Sequence, residues 1–267
     1  QAGHTVAAVS AVSDASRRRA DRLLPGVPVL PPLDVVASTG LVLLTVPDDV
    51  LPGLVEGIAR AGVMPPGQLV VHTSGRFGVA VLEPLTRAGA LPLALHPVMT
   101  FTGRPEDLDR LAGACFGVTA PEALRPIAET LVLEMGGDPQ WVEEGRRALY
   151  HAALAAGANH LVTLVNESVD LLRRCGVGEP ERLLAPLLGA ALDNALRQGD
   201  AALTGPVSRG DAGTVAAHLR ELSGVSPQTV AAYVAMARLT AVRALEAGLV
   251  KPEQAEALLD VLADGSG

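Results

Sequence analysis

Short apolar runs alternate with segments of helical periodicity through the first half of the chain. The runs predicted as strands occupy residues 5–9, 27–30, 40–46, 68–72, 91–95, 114–119 and 138–142, and helical spacing appears at 15–24, 50–61, 79–88 and 121–135. The run GLVLLTV at 40–46 is apolar at nearly every position, which is typical of a strand covered on both faces. The alternation predicts a doubly wound, mostly parallel sheet.

The pattern changes after residue 142, where only helical periodicity remains. The helical segments are residues 146–173, 180–198, 212–222, 226–247 and 252–262. We therefore predict an α/β domain at residues 1–145, followed by an all-helical domain at residues 146–267.

Polar or small residues follow the predicted strands at the ends where open parallel sheets bind ligands. The candidates are Ser10 after the first run, Val46, Pro47 and Asp48 after the third, His72, Ser74 and Gly75 at the fourth, and His96 at the fifth. Each has a structural alternative, because an aspartate can cap the next helix, Ser-Gly can form a turn, and a histidine can be a hydrogen-bonded structural residue. The functional hypothesis is that these strand ends form one ligand-binding rim.

Three consecutive arginines, Arg17, Arg18 and Arg19, lie in the helical segment after the first run. That run ends without the Asp or Glu that would bind the ribose 2′-hydroxyl of NAD, whereas serines and arginines suit a 2′-phosphate. A solvated helix face is the alternative interpretation. If a dinucleotide binds, the pattern favours NADP (NADPH) over NAD.

The long helix at 146–173 carries small residues through its first half, at positions 152–153 and 155–158. Its mid-helix Gly157 costs about 1 kcal/mol relative to Ala, which suggests that a backbone or a flat ligand needs the room. His151 precedes this patch and Asn159 follows it, about 12 Å along the axis. The pattern fits either an active-site helix with a proton donor and an amide, or a core helix that packs through its alanines.

A second polar segment, ALTGPVSRGD at residues 202–211, joins two helices of the predicted C-terminal domain. Thr204, Ser208 and Arg209 are candidate anion-binding groups, since arginine can bind a carboxylate in a bidentate manner. Asp211 is a candidate N-cap for the following helix. A simple helix connection is the alternative.

Composition excludes several classes of partner. The formal net charge of −8 argues against nucleic-acid or membrane-surface binding, since both require a basic field. No apolar run reaches the roughly 18 residues of a membrane span. Cys115 and Cys175 stand in unrelated contexts, so neither a disulfide framework nor a metal site is indicated. We expect a cytoplasmic protein with a small anionic substrate, held by local groups.

Four motifs together carry a family resemblance: HTSG at 72–75, HPVMTF at 96–101, YHAALAAGAN at 150–159 and LTGPVSRGD at 203–211. In this order and spacing, the chain resembles a bacterial Rossmann-like family whose C-terminal helical domain carried only a domain-of-unknown-function label. That family is similar to a wider group containing ketopantoate reductase, 6-phosphogluconate and 3-hydroxyisobutyrate dehydrogenases and pyrroline-5-carboxylate reductase. The resemblance covers nearly the whole chain and implies a Rossmann-type sheet. Because family members are often encoded beside pantothenate-biosynthesis genes, it also implies reduction of ketopantoate to pantoate.

Two features depart from the wider group. Its members begin with a strand and a G-x-G-x-x-G turn that binds the pyrophosphate, whereas this sequence opens at QAGHTV, the segment that usually follows. We expect an upstream part that the numbering does not include. The group's dehydrogenases also use a Lys four residues before an Asn on this helix, and aligning that Asn with Asn159 places Ala155 at the lysine position. His151, one turn upstream, becomes the first candidate for the proton donor. Tyr150, His72 and His96 are the other candidates, although a tyrosine alone is a weak acid at pH 7.

Two classes of function remain open from the sequence. The first is an NADPH-dependent reductase of a small 2-keto acid that works in a cleft between the domains, with an imine reductase or hydroxyacid dehydrogenase as variants. The second is a non-catalytic dinucleotide-binding or scaffold protein. In the enzyme hypothesis His151 and Asn159 are catalytic, while Ser74, Gly75, His96, Thr204 and Arg209 bind substrate; Ser10, Arg17–Arg19, Val46–Asp48 and His72 bind cofactor. The apolar C-terminal helices predict a homodimer.

Overall fold

A computed structural model describes residues 3–264, with only the backbone described at residue 264. The chain divides into two compact units, Gln1–Asn159 and His160–Gly267. The division falls inside one long helix, because the first turns of that helix pack on the sheet of the first unit. The functional boundary at residues 145 and 146, where the strand pattern ends, stays a prediction.

The first unit contains a sheet of five strands in the order β1-β2-β3-β4-β5. The strands are β1 Leu41–Leu44, β2 Leu69–His72, β3 Leu91–Pro97, β4 Cys115–Thr119 and β5 Asp138–Trp141. All neighbours pair in parallel except β3 and β4, which are antiparallel. The predicted mostly parallel sheet is therefore confirmed.

Apolar side chains leave the sheet on both faces, as a doubly wound fold requires. On β2, Val70 packs into one core cluster with Val42 and Ile58, and the next residue along, Val71, packs into a second cluster. The second cluster also contains Phe116 of β4. Successive residues of a strand point to opposite faces, so each face of the sheet is covered by its own cluster of apolar side chains.

Seven helices belong wholly or partly to the first unit: α1 Asp14–Leu23, α2 Pro32–Ala37, α3 Leu51–Ala61, α4 Glu83–Arg87, α5 Glu106–Leu111, α6 Arg125–Glu134 and α7 Arg147–Arg174. Most coincide with predicted segments. The sequence pattern missed α2 and α5, because six residues are too few to display helical periodicity.

Two predicted strands near the N-terminus are wrong as strands. In the segments 5–9 and 27–30, pairing is limited to a single parallel bridge between Val9 and Val29. Two backbone hydrogen bonds hold this bridge, from Val9 N to Pro28 O and from Leu30 N to Val9 O. The pattern of alternating apolar residues was present, but two short segments with one bridge do not form a ladder.

The second unit contains the end of α7 and four further helices: α8 Pro180–Gln198, α9 Ala212–Ser223, α10 Pro227–Glu246 and α11 Pro252–Asp264. Its core is formed by α9, α10 and α11 around residues such as Val215, Val234 and Leu258. Asp211 caps α9 by accepting a hydrogen bond from Thr214 N at 3.0 Å, which confirms the predicted N-cap. The helical second half of the fold is thus confirmed.

The helices α7 and α8 expose many large apolar side chains. These include Leu161, Val162, Leu164, Leu183, Leu187, Leu192 and Leu196. The stretch Glu144–Arg174 is long and apolar enough to cross a membrane by length and composition alone. The residues that the structure describes therefore leave a large apolar surface of α7 and α8 uncovered.

Candidate functional site

The carboxyl ends of β1, β2 and β3 lie at one edge of the sheet. Leu44 is in register with His72, and His72 is in register with Ala94. The loops that follow these strands therefore begin side by side, which places the predicted candidates on one rim. This edge is the ligand-binding edge of an open parallel sheet.

His72 is the innermost candidate on the rim. Its side chain is completely buried, with Nε2 at 2.8 Å from Gly78 O and Nδ1 accepting a hydrogen bond from Ser74 N at 3.2 Å. Burial lowers the pKa of His72 to about 4, against a smaller raising effect of the Gly78 carbonyl. Both ring nitrogens are thus used inside the protein. A neutral His72 fixes the turn at 74–78, and any effect on a cofactor would act through that turn.

Ser74 shapes the same turn with its hydroxyl. Ser74 Oγ accepts hydrogen bonds from Arg76 N at 3.2 Å and Phe77 N at 3.1 Å. A carboxylate of Glu144 extends the network, because it accepts from Val79 N at 2.7 Å and from Ala80 N at 3.2 Å. The polar residues of the HTSG motif therefore act first as a scaffold, which holds Gly75 in place.

Gly75 lies where three segments of the unit meet. A β-carbon built on Gly75 would stand 2.8 Å from His151 Cδ2 and 2.9 Å from His96 Nε2. Real β-carbons essentially never come so close to other atoms. The absence of a side chain at this position is what allows the two imidazoles to approach the turn, so Gly75 is required by packing.

His96, at the end of β3, is bonded to Tyr150 of α7. His96 Nδ1 is 2.8 Å from Tyr150 Oη, and the two rings meet edge to face with centroids 5.6 Å apart. His151 also meets His96 edge to face, at a centroid distance of 6.4 Å. Burial lowers the pKa of His96 to about 4, and the charges of Arg147 and His151 lower it further. His96 is therefore an uncharged imidazole at neutral pH.

Arg147 lies beneath this pair and is almost completely buried, at 1% exposure. Its Nε donates to Thr119 Oγ1 at 2.8 Å, and one terminal nitrogen donates to Ala94 O at 3.1 Å and to Gly117 O at 3.0 Å. Its other terminal nitrogen has no partner among the residues that the structure describes. Burial lowers the pKa of this guanidinium, but arginine still remains protonated, so a buried positive charge stands beside Tyr150.

Gly117 of β4 completes the packing under the aromatic pair. A β-carbon on Gly117 would overlap Tyr150 Oη. The Arg147 guanidinium carbon lies 5.7 Å from the centre of the Tyr150 ring. Burial raises the pKa of Tyr150 above its usual range, while Arg147 lowers it. Tyr150 therefore keeps its phenolic proton at neutral pH and can donate it in a hydrogen bond.

The small-residue patch of α7 is open to solvent rather than packed. Ala152, Ala153 and Ala156 are exposed, and a β-carbon on Gly157 would meet nothing within 4 Å. Asn159, the predicted amide, is exposed at the end of this patch. Within the chain, the alternative of a core helix packed through its alanines is wrong.

The loop after β1 does not provide a side chain that caps the next helix, α3. The N-cap of α3 is Val50, and no side chain caps that helix, so the N-cap alternative for Asp48 is wrong. The carbonyl of Pro47 accepts hydrogen bonds from Val50 N and Leu51 N instead. Val46, Pro47 and Asp48 therefore follow the carboxyl end of β1 as a short loop, as their assignment to a cofactor requires.

Ser10 and the arginine triplet lie outside the five-stranded sheet. Ser10 follows Val9 of the isolated bridge, and Arg17, Arg18 and Arg19 are exposed on α1. Arg17 Nε donates to Ala11 O at 3.3 Å, and among the described residues none of the three arginines forms an ion pair. Exposed guanidinium groups without carboxylate partners fit the chemistry of a phosphate monoester.

The three candidates of the second unit lie in the segment between α8 and α9, and burial of Ser208 contradicts its assignment to an anion. Thr204 and Arg209 are both exposed, whereas Ser208 between them is buried and donates to Gly205 O at 3.2 Å. Gly210 has a φ of +74°, which favours glycine after Arg209. This turn presents the Arg209 side chain to solvent, where it is available to an anion.

The sequence pattern did not single out Arg147, although it is central to the site. The signal was present in the spacing, because Arg147 precedes Tyr150 by three residues and His151 by four, which places all three on one helix face. For Tyr150 the sequence predicts only a weak acid. The residue types arginine and tyrosine do not indicate burial, which is shown only by the packing of Arg147 and Tyr150 on β3 and β4.

Two family models match the chain: a Rossmann-like domain at residues 1–97 and a domain of unknown function, DUF2520, at residues 114–240. No protein of curated function matches the sequence. Together the two models cover both halves of the site, including the HTSG turn and the first turns of α7.

Solved structures share the fold at low sequence identity. BF3122 from Bacteroides fragilis, assigned as an NADP oxidoreductase, is 20% identical with a TM-score of 0.70, over 90% of each chain. Protein TM1727 from Thermotoga maritima is 23% identical with a TM-score of 0.64, over 89% of this chain and 90% of its own. The reductive aminase from Aspergillus terreus, in complex with NADPH and ethyl levulinate, is 20% identical with a TM-score of 0.63, over 97% and 90%.

Proposed function

We propose that this chain, which is built from a Rossmann-like domain and a DUF2520 domain, is an NADP-dependent oxidoreductase that reduces a small carbonyl or imine compound. One observation carries the proposal. Two histidines, His96 and His151, converge on a glycine at the carboxyl edge of a parallel sheet, where Rossmann-type folds bind dinucleotides and substrates.

The residues assigned to the cofactor fit its chemistry. The exposed, unpaired guanidinium groups of Arg17, Arg18 and Arg19 suit the 2′-phosphate of NADP, and the short loop at Val46–Asp48 leaves the rim open. NADPH, when bound, supplies the hydride of the reduction. The neighbours described above support this choice of cofactor, since the reductive aminase is named with NADPH.

When the hydride adds to the carbon of the carbonyl or imine group, the oxygen or nitrogen atom must gain a proton. His151 is the proposed donor of that proton. Its ring borders Gly75 and His96 and is partly exposed. A positioned acid contributes about 10² to 10⁴-fold to such a reaction. Asn159, two turns further along α7, is proposed to orient the substrate through its amide.

The finer substrate assignment is a 2-keto acid, with ketopantoate as the specific candidate implied by the family resemblance. Arg209 and Thr204 support an anionic substrate on their chemistry alone, because a guanidinium can bind a carboxylate in a bidentate manner. A cyclic or acyclic imine is the second candidate. It is favoured by the fold similarity to the reductive aminase.

Oxidation of NADPH by the full-length protein, measured against a panel of 2-keto acids and imines, tests the activity. Turnover of ketopantoate but not of imines would support the finer assignment, and the reverse would move it to the imine class. Cofactor binding in calorimetry without turnover of any compound would leave the non-catalytic scaffold as the function.

The same proposal includes a second copy of the chain as partner, through the C-terminal helices. The exposed leucines of α8, such as Leu187 and Leu196, would be covered by another copy, since a monomer rarely leaves so large an apolar face in water. Polar residues on α7, among them His160 and Asp170, make a protein partner a better fit than a bilayer. A cytoplasmic location accords with two exposed cysteines that form no disulfide.

Light scattering tests this partner. The chain should be a dimer at micromolar concentration, and Leu187→Glu with Leu196→Glu should make it a monomer. Leu133→Glu, at an exposed leucine of the first unit, is the matched control and should leave the dimer intact. A monomeric parent protein would overturn the dimer proposal.

A further inference from the structure

The hydrogen bond between His96 and Tyr150 bears on where the proton of His96 resides, since the phenol donates to Nδ1 in one tautomer and accepts from it in the other. The only hydrogen bond of the Tyr150 hydroxyl among the described residues goes to His96 Nδ1, at 2.8 Å. A protonated phenol can donate to this nitrogen only if the nitrogen carries no proton itself. The remaining proton of the neutral imidazole then sits on Nε2.

His96 Nε2 is the ring atom that borders Gly75. It would stand 2.9 Å from a β-carbon at that position, so it faces the volume that the glycine leaves vacant. His96 Nε2 makes no hydrogen bond within the part of the chain that the structure describes. Its ring is partly exposed and meets the ring of His151 edge to face, so the Nε2 side of His96 lies beside both Gly75 and His151.

Burial of the ring, and after it the charge of Arg147, keep this imidazole neutral. Arg147 stands behind Tyr150, and the other groups that face His96 are His151 on α7, His72 on β2 and Asp48 after β1. Of these, only Asp48 favours the charged form. Arg147 itself is held by three hydrogen bonds to β3 and β4 and has no carboxylate partner among the described residues, so its charge is not cancelled locally.

We propose that Arg147 and Tyr150 are positioning residues that hold His96 as a neutral imidazole with its proton on Nε2. This N–H binds the oxygen or nitrogen atom of the carbonyl or imine group whose carbon receives the hydride. The proposal rests on the reductase function proposed above. It divides the chemistry between two histidines. His96 polarises the carbonyl or imine by a hydrogen bond, and His151 supplies the proton.

A neutral donor is suited to this task. A hydrogen bond directed at the atom where negative charge develops stabilises the transition state, and removal of one such donor in other enzymes costs about 10² to 10³-fold in turnover. In a protonated His96 the bond to Tyr150 would reverse, because Nδ1 would then donate to the phenolic oxygen. The buried arginine opposes this charged state.

Nitrogen-15 NMR of the histidine side chains in the full-length protein tests the proton position without any substrate. His96 should show the Nε2–H form and should not titrate between pH 6 and 7. Tyr150→Phe, which is nearly isosteric, should populate the Nδ1–H form and lower kcat about tenfold with little change in KM. Arg147→Met should move the titration of His96 to higher pH, and Arg147→Lys should restore it in part; these variants are read only if their circular dichroism matches the parent.

The second unit offers a matched control. His218 Nδ1 lies 2.8 Å from Tyr233 Oη, with ring centroids 5.8 Å apart, so Tyr233→Phe removes the same type of bond from an exposed histidine. It should change neither the His96 signals nor turnover. An Nδ1–H form of His96 in the parent, or Tyr150→Phe with unchanged His96 signals and kcat, would overturn the proposal. If the NMR results hold but no keto acid or imine is reduced, the positioning of the His96 proton stands and the reductase function falls.

Discussion

Gly75 and His151 are so close that a single methyl group on the glycine would reach 2.8 Å from Cδ2 of the imidazole. This contact joins the HTSG turn to the first turns of α7. It also explains why a glycine is needed at a position where the backbone φ is not in the left-handed region.

Gly75→Ala should therefore disturb the site more than the fold. The added methyl must displace His96 or His151, so we expect turnover to fall by about 10² while the cofactor affinity changes little. Gly157→Ala is the control, because a β-carbon there meets nothing within 4 Å and replaces a helical glycine. The control should gain up to about 1 kcal/mol in unfolding free energy. Equal loss of turnover in both variants would contradict the role of Gly75.

His151→Gln should lower turnover by about 10² or more, because the oxygen or nitrogen atom of the substrate then lacks its proton donor. Cofactor affinity should stay within a few fold, since the substitution removes no contact assigned to the dinucleotide. His160→Gln, half a helical turn away by phase on α7 and exposed, should be nearly neutral. Steady-state kinetics decide: turnover of the His151 variant within about threefold of the parent would assign proton donation to another group.

Acid should destabilise the first unit through His72. Its pKa in the folded protein is lowered from 6.5 to about 4, so between these values the unfolded chain binds more protons and stability falls as the pH falls. The full effect is about 3 kcal/mol below pH 4. In urea unfolding, His72→Gln should lose about 2 kcal/mol of the difference between pH 7 and pH 5. His160→Gln should keep that difference, and a His72 variant that also keeps it would show that burial is not the cause.

Replacement of Arg17, Arg18 and Arg19 by alanine should weaken NADP binding and leave NAD binding nearly unchanged. The three guanidinium groups are exposed and unpaired among the described residues, so their removal deletes phosphate contacts without creating a buried defect. Calorimetric dissociation constants for both cofactors measure the effect. The arginines on other exposed helices, such as Arg182 and Arg197, provide a control in which the NADP to NAD ratio should not move. An unchanged ratio in the triple variant would remove the 2′-phosphate assignment.

The sequence was informative where burial is periodic. Strands such as β1 and β2 were predicted because LVLL is apolar over a whole strand and LVVH over its first three residues. The helices from α7 onward were predicted because segments such as α8 and α10 repeat helical spacing over several turns. The strand ends on one rim followed from the rule that parallel strands share their carboxyl edge.

Other features depend on contacts that no local pattern encodes. The antiparallel pairing of β3 with β4 depends on the path of the chain between them, which includes the short helix α5. The apolar pattern of the two strands does not encode that direction. Of the two adjacent arginines at the start of α7, Arg146 is exposed and Arg147 is buried, and composition cannot distinguish them. The neutral state of His96 depends on the second of these, so the electrostatics of the site were outside the reach of sequence reasoning.

The three acceptors of Arg147 impose an order on folding. Ala94 O and Gly117 O belong to β3 and β4, and Thr119 Oγ1 lies at the end of β4, so they come together only when these two strands have paired. If α7 docked earlier, it would bury a guanidinium without acceptors, at a cost of several kcal/mol. We therefore expect the start of α7 to dock late, after the β3–β4 ladder has formed. Pulse-labelling hydrogen exchange should show protection of the amides of β3 and β4 before those of the first turns of α7, and the opposite sequence of protection would refute this order.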